Sequence, residues 1–261
     1  MTEKKNGKSN GSGADEEKIV RFPTLAERDR MAREEREAEK RALKNARIKR
    51  AANDVPFMNL SKITPFVKFL IAAFLLVHIP VFLFLGYPAR HEAFFYLGFV
   101  PGRFTGVFGP MPWYAPLNFI SYVFIHGSWM HLVFNTVMAM AMGILFERSY
   151  STRTTVIFFF ACAILGAGLH LALNPFSTAP VIGASGGISG FFAAAILMLG
   201  ERGQMGAIGK RGPWPILGFW LLFMLVVGFL SGEDTAWQAH VGGFVAGAGL
   251  YHLLRTGRIR F

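Results

Sequence analysis

The chain has 261 residues, is 52% hydrophobic and only 16% charged, and carries a formal net charge of +11. Soluble domains average about 25% charged residues. Here the charge is concentrated: residues 1–64 hold 16 Lys and Arg and 11 Asp and Glu, which leaves 16 charged residues among the other 197. That pattern excludes a single soluble globular domain. Much of the basic excess sits beside apolar runs, which argues against a nucleic-acid footprint.

The first 20 or so residues are Gly, Ser, Asn, Lys and Glu and read as disordered. They contain no apolar core of the kind a secretory signal needs. From Thr24 to Asn53 the composition turns to Ala, Glu, Arg and Lys. Thr24 with Glu27 fits a capping box, so a charged helix is expected there. Its apolar residues are few, and it is either solvated or laid on a membrane surface. Residues 1–60 thus form a charged extension and 61–261 a separate body.

The body breaks into long apolar stretches. A bilayer-spanning helix needs about 20 mostly apolar residues. Spans are predicted at 65–86, 129–147, 154–173, 185–200, 214–230 and 238–254, the fourth and sixth short and rich in small residues. The fold class is therefore all-α, a polytopic six-helix membrane bundle. Between the first two spans, Tyr87 to Ser128 carries Pro, Gly and aromatics without a spanning pattern. It reads as a structured, partly interfacial loop. One cysteine, Cys162, excludes an internal disulfide and a cysteine-rich metal site.

The positions of Lys and Arg set the expected orientation. One set of loops carries the basic N-terminus, Arg148 and Arg153, then Arg202, Lys210 and Arg211, then Arg255, Arg258 and Arg260. The opposite set carries Arg90 and Arg103 in the long loop, and Glu233 and Asp234 before the last span. The first set is assigned to the cytoplasm, which places both termini there.

Polar groups inside a membrane are costly and usually functional. Span two begins with His126-Gly-Ser-Trp-Met-His131-Leu-Val-Phe-Asn135, with His131 and Asn135 on one helix face. Span four begins with Gly183-Ala-Ser185-Gly186-Gly187, and span six with Ala239-His240-Val-Gly242-Gly243. In the assigned orientation all three groups lie near the outer ends of their helices. Two Gly-xxx-Gly pairs, Gly186 with Gly190 and Gly243 with Gly247, allow spans four and six to pack closely. Ser185 would then reach His240.

A serine hydroxyl needs a neighbouring base to become a nucleophile. His240 is the candidate base. His131, Asn135 and the Ser185 backbone N–H are candidates to hold an oxyanion. No acid is well placed as a third member: Glu147 lies roughly 24 Å along the helix from His131. A Ser-His dyad is therefore expected. Gly183-Ala-Ser185-Gly-Gly187 also satisfies Gly-x-Ser-x-Gly, but that elbow belongs to an alternating βα chain, which this is not. His78 and His170 are expected to be hydrogen-bonded structural residues away from the small-residue seam. His126 and His131 miss the His-x-x-x-His spacing of a metal site, and no acid accompanies them.

Together, His-x-x-x-Asn in span two, Gly-x-Ser-Gly in span four and Ala-His-x-x-Gly in span six resemble the rhomboid family of intramembrane serine proteases. The resemblance covers roughly Trp113 to Leu254. It implies a six-helix bundle that uses no cofactor and cleaves the transmembrane segments of single-span membrane proteins within the lipid bilayer. Ser185 would be the nucleophile, His240 its base, and His131 and Asn135 the oxyanion-stabilising pair. Two positions depart from the family pattern. Tyr114 follows Trp113 where Arg is common, and Ser189 stands where some members place an aromatic residue against the catalytic histidine. An inactive, client-binding relative is the alternative, although such relatives lack the Ser or the His. The polar group His126, Ser128, His131 and Asn135 is expected to line a water-accessible cavity. Span five and the loop Ser231–Gln238 are expected to form a movable gate.

Overall fold

The computed structural model describes residues 24–26, 28–37, 39, 63–205, 212–230 and 236–261, the side chains of 227–230 excepted. Glu27, Lys210, Arg211, Glu233, Asp234 and most of the loop assigned to the gate lie outside them, as do residues 1–23. The chain divides into two units, Met1–Asn59 and Leu60–Phe261. In the first, the described residues from 25 to 37 are helical and exposed. An i,i+4 ion pair from Arg30 to Glu34, at 3.1 Å, runs along that helix.

The second unit is helical, and no named strand occurs among the described residues. The helices at the six predicted span positions are α1 (Pro65–Phe84), α3 (Trp129–Ser149), α4 (Thr152–Leu173), α5 (Ser185–Glu201), α6 (Trp214–Leu230) and α7 (Trp237–Arg255), while α2 (Tyr87–Leu97) lies in the long loop. Helices α1, α3 and α4 are each long and apolar enough to cross a membrane. At 17 residues, α5 is only about 25 Å long. Its small residues suit close helix packing better than lipid contact.

Local chemistry fixes the helix ends. Ser128 caps α3 by accepting from the His131 N–H at 3.1 Å, and Ser151 caps α4 by accepting from Thr154. The N-cap of α1, Thr64, makes no capping bond. A remote carboxylate replaces it: Glu147 of α3 accepts from the backbone N–H groups of Phe66 at 2.9 Å and Val67 at 3.2 Å. This buried carboxylate satisfies two of the orphan donors at the start of α1 and ties that helix to α3. The Thr152 hydroxyl also donates to it.

Close packing is greatest where α4, α5 and α7 meet. A Cβ placed on Gly243 would lie 2.0 Å from the Gly186 carbonyl oxygen, and one on Gly247 would lie 2.4 Å from the Gly190 Cα. The backbones of α5 and α7 therefore touch at both predicted Gly-xxx-Gly pairs. Helix α4 joins the same seam, which differs from the sequence expectation. A Cβ on Gly166 would meet the Ala239 carbonyl at 2.5 Å, and one on Gly190 would meet the Cys162 Sγ at 2.4 Å. Cys162 is a small, fully buried seam residue.

Phenylalanines fill the space beside the seam. Phe146, Phe158, Phe159 and Phe191 are all buried. Their rings stack, with Phe146 and Phe158 centroids 4.3 Å apart.

The long loop is ordered by side chains bonding to carbonyls. Arg90 covers the C-terminus of α1, donating to the Phe82 and Leu85 carbonyls and lying over the Phe82 ring. Arg103 is buried; it donates to the Asn118 Oδ1 at 3.0 Å and to the Phe95 carbonyl, and stacks on the Phe95 ring. Asn118 in turn donates to the Tyr96 carbonyl. The loop therefore has an internal arginine anchor, although Tyr114 stands where the resemblance led one to expect Arg.

Candidate active site

The site is built where the N-terminal ends of α3, α5 and α7 come together. Gly183 has φ +111°, a conformation that disfavours any side chain. Its N–H donates to the Tyr122 carbonyl at 2.9 Å. Two residues earlier, Val181 exchanges backbone hydrogen bonds with Phe99 of the long loop, at 2.8 and 2.9 Å. The loop thus holds the turn before α5 rigidly, and Ser185 emerges as the first residue of that helix.

The Ser185 Oγ lies 2.7 Å from the His240 Nε2. Each residue sits on its helix beside a seam glycine: Gly186 next to Ser185, and Gly243 three after His240. The backbone contact at Gly186–Gly243 is what brings α5 and α7 close enough for this hydrogen bond. Both side chains are half-buried.

His131 approaches from α3. A Cβ on Gly183 would come within 2.6 Å of its Nε2, so only glycine leaves room for the imidazole. The Gly127 N–H points at the His131 Nδ1, 3.4 Å away. Accepting there puts the proton of a neutral ring on Nε2, the atom facing Gly183 and the start of α5. The first N–H groups of α5 have no intrahelical acceptor and point toward the same region.

Asn135 is buried and donates through Nδ2 to the His131 carbonyl at 2.9 Å, one turn back on α3. That uses one of its two amide hydrogens.

The other polar residues singled out in the sequence divide by role. Ser128 is occupied as the α3 cap. His126 is buried, with its ring centroid 5.1 Å from that of His131 and 4.8 Å from that of Phe74. It packs as an aromatic behind His131 and does not line an open cavity. His78 is buried, stacked on Phe82 at 4.0 Å and edge-on to Trp129 at 4.6 Å, with the backbone of His126 nearby. His170 is hydrogen-bonded, through Nδ1 to the Gln238 Oε1 at 3.1 Å. This joins α4 to the first turn of α7, two residues before His240, so His170 lies close to the seam.

No group of three or more His, Cys, Asp or Glu among the described residues is placed to hold a metal ion.

A family model of the rhomboid domain matches residues 113–256, more than half of the chain. The chain belongs to the rhomboid family. Rhomboids are in general intramembrane serine proteases, and membership agrees with a multi-pass helical membrane bundle. The rhomboid match takes in α3 to α7 and every residue of the Ser185–His240–His131 cluster. It leaves out α1, α2 and Arg103. No curated protein matches the chain significantly.

Sequence reasoning missed Asn118 and the structural roles of Arg103 and Gly183. The φ of Gly183 and its contact with His131 exist only once α3 and α5 are side by side. A lone arginine among aromatic residues (Phe95, Tyr96, Phe104, Tyr114) was the available signal for Arg103.

Proposed function

We propose that this rhomboid is an active intramembrane serine endopeptidase that uses Ser185 and His240 as a catalytic dyad on the transmembrane segments of single-span membrane proteins. The observation that carries the reading is the 2.7 Å separation of the Ser185 Oγ and the His240 Nε2, a distance suited to proton transfer.

In this reading Ser185 Oγ attacks the scissile carbonyl carbon as its proton passes to His240 Nε2. The carbonyl π electrons move to oxygen. The resulting oxyanion is met by the Ser185 backbone N–H and by His131 Nε2–H, with Asn135 offering its second amide hydrogen and fixing the His131 turn. The carbon–nitrogen bond then breaks, and His240 returns its proton to the leaving amine. A water molecule, deprotonated by His240, attacks the acyl-serine ester. Collapse of that second intermediate releases the new carboxyl terminus and restores Ser185.

A helical substrate has its carbonyls in hydrogen bonds, so it must unwind before attack. This favours Gly, Pro or other small residues near the cleavage point. The distribution of Lys and Arg supports placing both termini in the cytoplasm and the site toward the outer face of the cell membrane.

The test is an in-membrane cleavage assay with a panel of single-span substrates, together with fluorophosphonate labelling. Ser185→Ala is expected to abolish both while leaving the thermal unfolding midpoint unchanged. Persistent labelling in that variant would overturn the nucleophile assignment. A wild type that binds clients without cleaving or labelling would instead favour the inactive, client-binding alternative.

A further inference from the structure

At the end of the bundle opposite Ser185, a cleft of about 380 Å³ opens among the ends of α3, α5 and α7. Its size is that of a small-molecule site, for which about 300–1,000 Å³ is typical. Ser149, Tyr150, Glu201, Arg202, Tyr251 and Arg255 supply its polar wall. Sixteen residues separate Ser185 from Glu201, or about 24 Å of helix, so the cleft is distinct from the site above.

The polar groups here are arranged, not merely gathered. Glu201 accepts from the Tyr251 hydroxyl at 2.8 Å on one oxygen and pairs with Arg255 at 3.0 Å on the other. The carboxylate is thereby neutralised, and it fixes the Arg255 fork at the cleft. Arg202 differs: it donates to the Ser149 hydroxyl at 2.8 Å and has no carboxylate partner among the described residues. Tyr150 lines the same cleft, near Glu201 as well as both guanidiniums. Among the described residues one positive charge is left over, and it faces a recess beside the Tyr150 side chain; the Ser149 hydroxyl donates its own proton to the Leu145 carbonyl at 2.9 Å.

The surroundings add to the positive field. Arg148 and Arg153 flank the turn between α3 and α4. The C-terminal residue Phe261 folds back so that its carbonyl accepts from Thr154, which returns the segment bearing Arg258 and Arg260 to this end of the bundle. The helix ends that meet here also mark the level at which lipid headgroups begin, if the helices cross a bilayer.

We propose that this cleft binds a phosphate group, with Arg202 and Arg255 as its charged donors and the Tyr150 hydroxyl beside them. A guanidinium fork matches phosphate oxygens in geometry as well as charge. Two sources offer that chemistry: the headgroup of an anionic phospholipid, and free phosphate. The competing account is that these arginines only offset the negative ends of the α3, α5 and α7 dipoles.

The test uses the full chain in a neutral detergent and follows its thermal unfolding midpoint. It is titrated with dihexanoyl phosphatidylglycerol, with dihexanoyl phosphatidylcholine, and with inorganic phosphate at matched ionic strength. A saturable rise with the anionic lipid is expected, with half-saturation about tenfold weaker in Arg202→Gln, the scale of losing one charge-assisted contact. Arg202 is exposed and makes one side-chain hydrogen bond, so this variant is expected to fold; Arg255→Gln serves as the second variant. A rise with the lipid alone assigns the phosphate to a headgroup, and an equal, Arg202-dependent rise with inorganic phosphate assigns it to the free ion. The proposal is overturned by no saturable rise from either source, by a rise unchanged in Arg202→Gln, or by phosphatidylcholine matching phosphatidylglycerol.

Discussion

Helices α6 and α7 are consecutive and both rich in apolar residues, yet they are held in different ways. Helix α7 meets α5 and α4 through glycine, backbone on backbone, with Gly242, Gly243 and Gly247 all buried. Helix α6 is attached by side chains. Leu217 is buried and Trp220 stacks on Phe192 of α5 at 4.4 Å, while Trp214, Phe219, Leu222, Phe223 and Val226 are exposed. A Cβ on its Gly218 would meet nothing within 4 Å. Backbone contact leaves no freedom to slide or rotate, and it is found where Ser185 and His240 must stay 2.7 Å apart. Side-chain contact of this kind can be broken and remade, as a helix that admits a substrate requires.

The strongest way to break this comparison is to put a side chain into the seam. Gly243→Val would drive its branched carbons into the Gly186 carbonyl, where even a Cβ has 2.0 Å. We expect a destabilisation of about 3 kcal/mol and complete loss of cleavage. Thermal unfolding and the in-membrane assay report the two effects separately. Wild-type activity in this variant would mean that α5 and α7 do not depend on backbone contact.

The second test acts on α6. A crosslink that locks α6 to α3 is expected to abolish cleavage of a membrane substrate while Ser185 still reacts with a small fluorophosphonate. The dyad sits on α5 and α7 and is not touched by the lock. Full cleavage after locking would refute the role of α6 as the moving element.

The contrast between the two helices also tracks what was legible in the sequence. All six apolar helices were placed within about two residues of their ends, because run length and hydropathy decide them. The two Gly-xxx-Gly pairs gave the α5–α7 contact, since small residues at that spacing have a direct geometric meaning. The part played by α4 was not legible. Gly166 has no glycine four residues before or after it, and its meaning depends on Ala239 arriving from another helix.

The long loop was opaque for a similar reason. Pairs such as Phe99 with Val181 and Arg103 with Asn118 join distant positions without any period. The rings of Phe82 and Trp129 that pack on His78 were equally hidden, because residue type does not reveal which neighbours fold against it. Ser185, His240 and His131 were nameable from sequence because each stands at a helix start, at a common depth. Their separations could come only from coordinates.

The smallest expected effect separates position from residue type. Gly249 lies on α7 only two residues after Gly247, but it is exposed and a Cβ there would meet nothing within 4 Å. If the α5–α7 seam depends on where its glycines stand, Gly249→Ala should leave cleavage unchanged. It should also raise stability by up to about 1 kcal/mol, because alanine loses less backbone entropy than glycine in a helix interior. Gly247→Ala, on the same helix and with the same added methyl, would press on the Gly190 Cα at 2.4 Å and should lower both stability and cleavage. Equal responses from the two variants would mean that α7 needs glycine for flexibility along its length. Opposite responses would tie the requirement to the face that carries His240 toward Ser185.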